Sequence, residues 1–203
     1  MLMQMLDEIN AADGYGVLLL AQMDGVPDTL QFIVATTALD ESGAGLRDKN
    51  RYIVRALGVQ EHRVSVGLFK AARTFDGEDH PLLLQYNSTP TGFFFRGQPQ
   101  NVEALILNIF QTYSQVFGDW RHVPDYLNLS KPLLDLFGGG GDLVGEMPAP
   151  LADALDPAFT AQGLETKQIA GEKPKEQPPQ KLLLLDDSYV VAMDFSVDVL
   201  GKV

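Results

Sequence analysis

Apolar positions between residues 99 and 117 repeat at intervals of three and four, a period that predicts a helix with one buried face. The stripe consists of Val102, Leu105, Ile106, Ile109, Phe110, Tyr113, Val116 and Phe117. Gly97 and Pro99 come just before it, and proline suits the first turn of a helix. We therefore expect an amphipathic helix that packs its apolar stripe on a sheet.

Other apolar runs in the first 123 residues predict strands and two further helices. Residues 15–23 and 29–39 flank a turn sequence, DGVPD, and predict an antiparallel hairpin. Residues 62–75 have the length of a strand, and residues 82–86 and 92–96 predict a second hairpin. Residues 2–11 and 46–57 place apolar side chains on one helical face, so we expect helices there.

The resulting order, α-β-β-α-β-β-β-α, predicts an α+β core domain over residues 1–123, with one antiparallel sheet of about five strands packed by two or three helices. Residues 124–171 are rich in proline and glycine and predict an extension with short helices. Residues 172–180 hold three prolines among charged residues and predict an extended linker. Residues 181–203 are again apolar and predict a C-terminal strand segment tethered by that linker.

Composition and charge narrow the classes of partner. The chain has 15 basic and 27 acidic residues, a net charge of -12, which disfavours nucleic acid and anionic membranes and fits a basic or cationic partner better. On other grounds, given below, we expect a protein partner or self-association. It contains no cysteine, so thiol nucleophiles, disulfides and cysteine-ligated metals are excluded. The apolar runs are too short to span a bilayer and the first ten residues lack the basic start of an export signal. We expect a cytoplasmic protein without membrane association.

Arginines spaced by four residues form the main basic feature. Arg47, Arg51 and Arg55 would lie along one edge of the predicted helix, where guanidinium groups could bind phosphate or another anion. The alternative interpretation is a solvated charged face balanced by Asp48 and Glu41. Because the chain as a whole is acidic, anion or nucleic-acid binding is the weakest of the functional hypotheses.

A short acidic turn is the main candidate for enzyme chemistry. Asp76, Asp79 and His80 lie within five residues, and Glu103 or His122 could join them as acid or base in a cleft. Their spacing does not match an EF-hand, so we predict neither a metal site nor a cofactor. A charged surface turn between two elements explains the same residues. No serine lies in a nucleophile elbow, and the glycine run at 138–141 lacks the Lys-Ser or Lys-Thr of a phosphate-binding loop.

Three consecutive phenylalanines, Phe93, Phe94 and Phe95, require cover on both faces of a predicted strand, since neighbouring side chains point in opposite directions. A helix could cover one face, while the C-terminal segment or a second subunit covers the other. Alternatively, the strand lies in a sheet between two layers of the same domain.

These patterns favour a non-catalytic interaction or adaptor module, a subunit of a larger assembly or of a homo-oligomer. In this interpretation the C-terminal strand segment docks on a sheet edge or on a neighbouring subunit. A small enzyme that uses the acidic residues and histidine remains the alternative. The predicted partner-binding residues are Phe94, Leu182, Leu184, Tyr189, Val191 and Phe195.

Overall fold

The chain folds into two compact units, each with its own hydrophobic core. The computed structural model describes residues 1–40, 45–122, 125–172 and 178–202. The first unit comprises Met1–Gly77 and Pro178–Val203, and the second comprises Glu78–Gln177. The predicted boundary at residue 123 therefore falls inside the second unit. Of the predicted linker at 172–180, residues 173–177 lie outside the described residues.

Five helices and twelve strands occur in the described residues, and every strand pair is antiparallel, so the α+β class is confirmed. In chain order the elements are α1 (Leu2–Asn10), β1 (Gly14–Met23), β2 (Thr29–Leu39), β3 (Leu46–Leu57), β4 (Glu61–Arg63), β5 (Gly67–Phe69), β6 (Ala72–Phe75), α2 (Pro81–Asn87), β7 (Pro90–Arg96), α3 (Val102–Phe117), α4 (Leu133–Gly138), β8 (Gly141–Pro148), α5 (Ala149–Thr160), β9 (Glu165–Ala170), β10 (Lys181–Leu185), β11 (Ser188–Ala192) and β12 (Asp194–Lys202).

The first unit contains two sheets around α1. One sheet has the strand order β12-β3-β2-β1-β5 and the other has the order β4-β11-β10-β6. One face of each sheet and the apolar side of α1 contribute to a single core. Its fully buried members include Met5, Ile9, Val34, Val54 and Leu183.

The C-terminal strands complete both sheets of the first unit. β10 and β11 form a hairpin in which Leu183 lies opposite Val190, and both side chains belong to the core. β12 pairs with β3 along its whole length, from Asp194 opposite Leu57 onward. Residues 181–202 thus form strands that are integral to the first unit, whereas the sequence predicted a segment tethered to the core domain by a linker.

The predicted helix at residues 46–57 is wrong, because this segment is strand β3. Tyr52, Val54 and Ala56 are fully buried. Arg51 comes just before them and Arg55 lies between the last two, and both arginines face away from the core. That alternation is the period of a strand whose two faces differ. Pairing with β2 on one side and β12 on the other satisfies the backbone of β3.

The predicted strand at residues 82–86 is also wrong, because it forms helix α2. Pro81 occupies the first helical turn, and the His80 side chain accepts a hydrogen bond from the backbone N–H of Leu82 as an N-cap. The predicted strand at 62–75 is divided into β4, β5 and β6. The predicted element order and single sheet of about five strands are corrected accordingly, since the described residues form three sheets.

The second unit is a three-stranded sheet, in the order β8-β7-β9, packed by α3 and α5. The helix predicted around residues 99–117 is confirmed as α3, with Asn101 as its N-cap. Residues 125–171 supply β8, α5 and β9, so they complete this unit, whereas an appended extension was predicted. Among the described ranges, no helix combines the length and the apolar character that crossing a membrane would require.

Candidate functional site

An apolar patch covers the face of the five-stranded sheet that points away from α1 and the core. In one row across the strands Leu20 lies opposite Ile33, and Ile33 lies opposite Ile53. In the next row Val17 lies between Ala35 on β2 and Leu68 on β5. This surface, called the outer patch, consists of Val17, Leu20, Ile33, Ala35, Ile53 and Leu68.

Solvent reaches part of the outer patch, in which Val17, Ile33 and Ile53 are partly buried and Ala35 is buried. Leu20 is 41% exposed and Leu68 is 58% exposed, and Leu19, at the bulge of β1, is 44% exposed. In the described part of the first unit α1 is the sole helix, and it packs on the opposite face. A contiguous apolar surface of this kind on a folded protein is a candidate interaction site.

Charged residues border the outer patch on the side of β3 and β12. Arg51 forms an ion pair with Asp48 at 3.1 Å, and Arg55 forms one with Asp198 at 2.5 Å. A register shift between β2 and β3 separates Arg47 from the other two arginines. The predicted arginine stripe is therefore interrupted, and two of its members already have carboxylate partners.

A cation borders the opposite side of the outer patch, close to β1 and β5. The Lys70 ammonium lies 4.8 Å from the centre of the Tyr15 ring, whose side chain shares the face of Val17. The amine also lies 3.5 Å from the Tyr15 hydroxyl. The face thus has a lysine at one side and the Arg51–Asp48 and Arg55–Asp198 ion pairs at the other.

Most of the predicted partner-binding residues are used inside the chain. Leu182 and Val191 are fully buried and Tyr189 is almost so, while Leu184 and Phe195 are partly buried. These side chains belong to β10, β11 and β12, which form the sheets of the first unit. They are accordingly not available on the surface as a free strand segment would be.

Phe94 is the predicted residue that does lie on an open sheet face. Phe93 and Phe95 enter the core of the second unit beneath α3 and α5, so Phe94 points to the other side. Its ring lies over Gly92, where a Cβ atom would come within 3.1 Å of the ring. A groove of about 570 Å³ lies beside it, lined also by Arg96, Lys167 and Ile169.

The candidate acid–base residues do not form a metal-binding cluster. His80 is buried as the N-cap of α2, its ring lies 5.1 Å from that of Trp120, and burial lowers its pKa. Asp76 belongs to the first unit, whereas Asp79, Glu103 and His122 belong to the second. The described ranges contain no group of three or more histidine or carboxylate side chains placed to hold a metal ion.

Sequence reasoning missed a carboxylate network at Glu8. This side chain accepts hydrogen bonds from Thr36, Asn50 and Tyr52, at 2.5, 2.8 and 2.9 Å. Burial acts to raise the pKa of Glu8, but these hydrogen bonds together lower it below its ordinary value. The helix pattern places Glu8 beside the buried Met5 and Ile9, and a carboxylate in that position is the one sequence signal of this network. Its hydrogen-bond partners lie on strands distant in sequence, so the pattern could not identify them.

Comparison with known proteins returns no relative. No protein family, no curated protein and no solved structure matches this chain. Function therefore has to be inferred from the chemistry of the outer patch and of the groove beside Phe94.

Proposed function

We propose that this protein is a non-catalytic assembly subunit that associates with a second copy of itself through the outer patch. The observation that carries the proposal is the row of aliphatic side chains, Leu20, Ile33 and Ile53, on a sheet face that no described helix of its unit covers. Two such faces packed together would remove these side chains from water, as in a β-sandwich.

The size of the face is compatible with a specific but modest interface. The four long strands of this sheet contain nine to twelve residues each. At about 3.3 Å per residue and about 4.8 Å per strand, they cover roughly 670 Å². Two copies would therefore bury about 1,300 Å² in total, which is near the lower end of the range for specific protein interfaces.

The charges on the outer face permit a second copy as the occupant. The chain carries a net charge of -12, so two copies repel each other over most of their surfaces. On the outer face, three cations (Arg51, Arg55 and Lys70) outnumber the two carboxylates of Asp48 and Asp198, so this face does not add to the repulsion. A twofold axis parallel to the strands would place the Lys70 side of one copy against the side of the other that carries the two ion pairs, so that Lys70 does not face Lys70.

Crosslinking between copies tests this arrangement, because the chain has no cysteine of its own. Packed sheets lie about 10 Å apart, so a thiol-specific reagent of about that span should join two copies of an Ile33→Cys variant. Met3→Cys is the matched control, since Met3 is 63% exposed on α1, away from the outer patch.

We expect a crosslinked dimer for Ile33→Cys and very little for Met3→Cys. Equal yields from the two variants, or no dimer from Ile33→Cys, would contradict the proposal. A dimer that forms from Met3→Cys alone would assign the interface to the helical side of the unit.

A further inference from the structure

The second unit has one sheet edge that no described strand or loop covers. At the β8 edge, the backbone N–H of Asn128 donates to the carbonyl of Val144 at 2.7 Å, and the Asn128 amide donates to the carbonyl of Leu143 at 3.2 Å. At the other edge, β9 pairs with β7 on one side only. Within the described ranges, β9 therefore has a free edge.

Hydrogen-bond alternation identifies the groups that this edge presents. The N–H of Gly171 donates to the carbonyl of Pro90 at 2.7 Å. In an antiparallel pair, every second residue directs its backbone groups to the same neighbour, so Gly171 and every second residue before it direct theirs to β7. The backbone N–H and C=O groups of Thr166, Gln168 and Ala170 consequently point outward. Three residues of an added strand could pair with them.

Side chains beside the free edge add a second, independent feature. Lys167 and Ile169 lie opposite Phe94 and Gly92 of β7, on the face that α3 and α5 leave open. Together with Phe94 they line the groove of about 570 Å³. A strand added to β9 would direct every second side chain toward this groove.

The charges of the groove select among possible strands. Arg96 and Lys167 are exposed, and neither forms an ion pair within the part of the chain that is described. Glu165, opposite Arg96, contributes the one carboxylate of the lining. Two cations against one carboxylate, in a chain with a net charge of -12, form a local site for an acidic side chain.

We propose that the β9 edge binds an extended, acidic polypeptide segment by strand addition. The segment pairs its backbone with Thr166, Gln168 and Ala170. It places an apolar side chain against Phe94 and Ile169, and a carboxylate two residues away near Arg96 and Lys167. This site lies on a different unit from the outer patch, so it gives an assembly subunit a separate means of holding a partner.

A labelled pentapeptide, acetyl-Thr-Leu-Thr-Glu-Thr-amide, provides the probe, with binding measured on the full chain by fluorescence anisotropy. We expect a dissociation constant on the order of 100 μM, as befits a short strand with one apolar anchor. A probe with lysine in place of glutamate should bind at least about 10-fold more weakly. A probe N-methylated on its edge-pairing amides should lose binding, because those amides can no longer donate.

Two protein variants locate the binding. Lys167→Glu should reverse the preference between the glutamate and lysine probes, and since Lys167 is exposed it should not disturb folding. Gln168→Pro removes an outward N–H and no bond to β7, so it should weaken binding, whereas Gln168→Ala should not.

Failure to bind at about 1 mM probe would overturn the proposal. Equal binding of the methylated probe, or unchanged preferences in Lys167→Glu, would overturn it as well. If Gln168→Pro does not fold, as judged by circular dichroism, the methylated probe and the Lys167→Glu variant decide. Loss of self-association in Gln168→Pro, with no probe bound to the wild type, would assign this edge to a second copy and contradict peptide binding. The crosslinking of Ile33→Cys is independent of all these outcomes.

Discussion

The hydroxyl of Tyr52, in the middle of β3, donates a 2.9 Å hydrogen bond to the Glu8 carboxylate on α1. Tyr52 itself is fully buried, and burial together with the neighbouring carboxylate raises its pKa. Glu8 remains ionised because Thr36 and Asn50 also donate to it. This carboxylate therefore fixes the helix to the inner face of the sheet whose outer face forms the outer patch.

Replacement of Glu8 should change both the stability of the first unit and its dependence on pH. The pKa of Glu8 is lowered in the folded state from an ordinary value of 4.5. Its contribution is therefore present above that value and is lost as the pH falls through the lowered pKa. Glu8→Gln should reduce the free energy of unfolding near pH 7 by about 1–3 kcal/mol. It should also make that free energy fall less steeply as the pH is lowered.

Urea unfolding at a series of pH values measures this effect. The matched control is Asp7→Asn, because Asp7 is exposed on the neighbouring position of α1. If the free energy of unfolding of Glu8→Gln falls with decreasing pH as steeply as that of the wild type, groups other than Glu8 cause the pH dependence.

His80 should make the second unit sensitive to acid. Its Nδ1 atom accepts a 3.2 Å hydrogen bond from the N–H of Leu82, and burial lowers its pKa from 6.5. The neutral imidazole is the form that caps α2, so its contribution is full above the ordinary pKa and is lost as the pH falls through the lowered value. We expect His80→Ala to cost about 0.5–2 kcal/mol and His80→Asn to cost less, since asparagine also caps helices.

Trp120 provides the measurement, because it is the single tryptophan of the chain and its ring lies 5.1 Å from that of His80. Thermal unfolding followed by its fluorescence reports on the second unit. Equal losses in the alanine and asparagine variants would indicate that His80 acts by packing against Trp120 and not by capping.

Two adjacent leucines of β10 should differ sharply in how much stability is lost when each is replaced by alanine. Leu183 is fully buried in the core of the first unit, whereas Leu184 is partly exposed on the opposite face of its sheet. Leu183→Ala should destabilise the protein by about 2–5 kcal/mol, and Leu184→Ala by clearly less. Chemical denaturation of the two variants checks this, and similar losses would indicate that β10 is not held in the register found here.

Strong local periodicity explains which elements could be predicted from the sequence. The stripe of α3 extends over four turns, and the turn between β1 and β2 has an unambiguous composition, so both predictions hold. The helix prediction for residues 46–57 fails because Leu46, Ile53 and Leu57 happen to share a helical spacing. Pairing of this segment with β2 and β12 decides its conformation as strand β3. For α2, a run of three leucines fits a buried strand as well as a helix.

The outer patch could not be predicted for a related physical reason. Whether Leu20 faces the core or the solvent depends on the bulge at Leu19, which shifts the alternation of β1 by one residue. The role of Ile53 depends on β3 being a strand at all. Phe94 was recognisable because three consecutive aromatic residues in any strand must occupy both faces.

The mass of the protein in solution, measured by light scattering on the wild type and on Leu20→Glu, tests the central claim most directly. The wild type should reach twice the 22.2 kDa of one chain as its concentration rises, and Leu20→Glu should remain at 22.2 kDa because a carboxylate would be buried in an apolar interface. Met3→Glu, altered on α1, should behave like the wild type. A wild-type protein that stays at the mass of one chain at about 100 μM, or a Leu20→Glu variant that associates equally well, would contradict self-association through the outer patch.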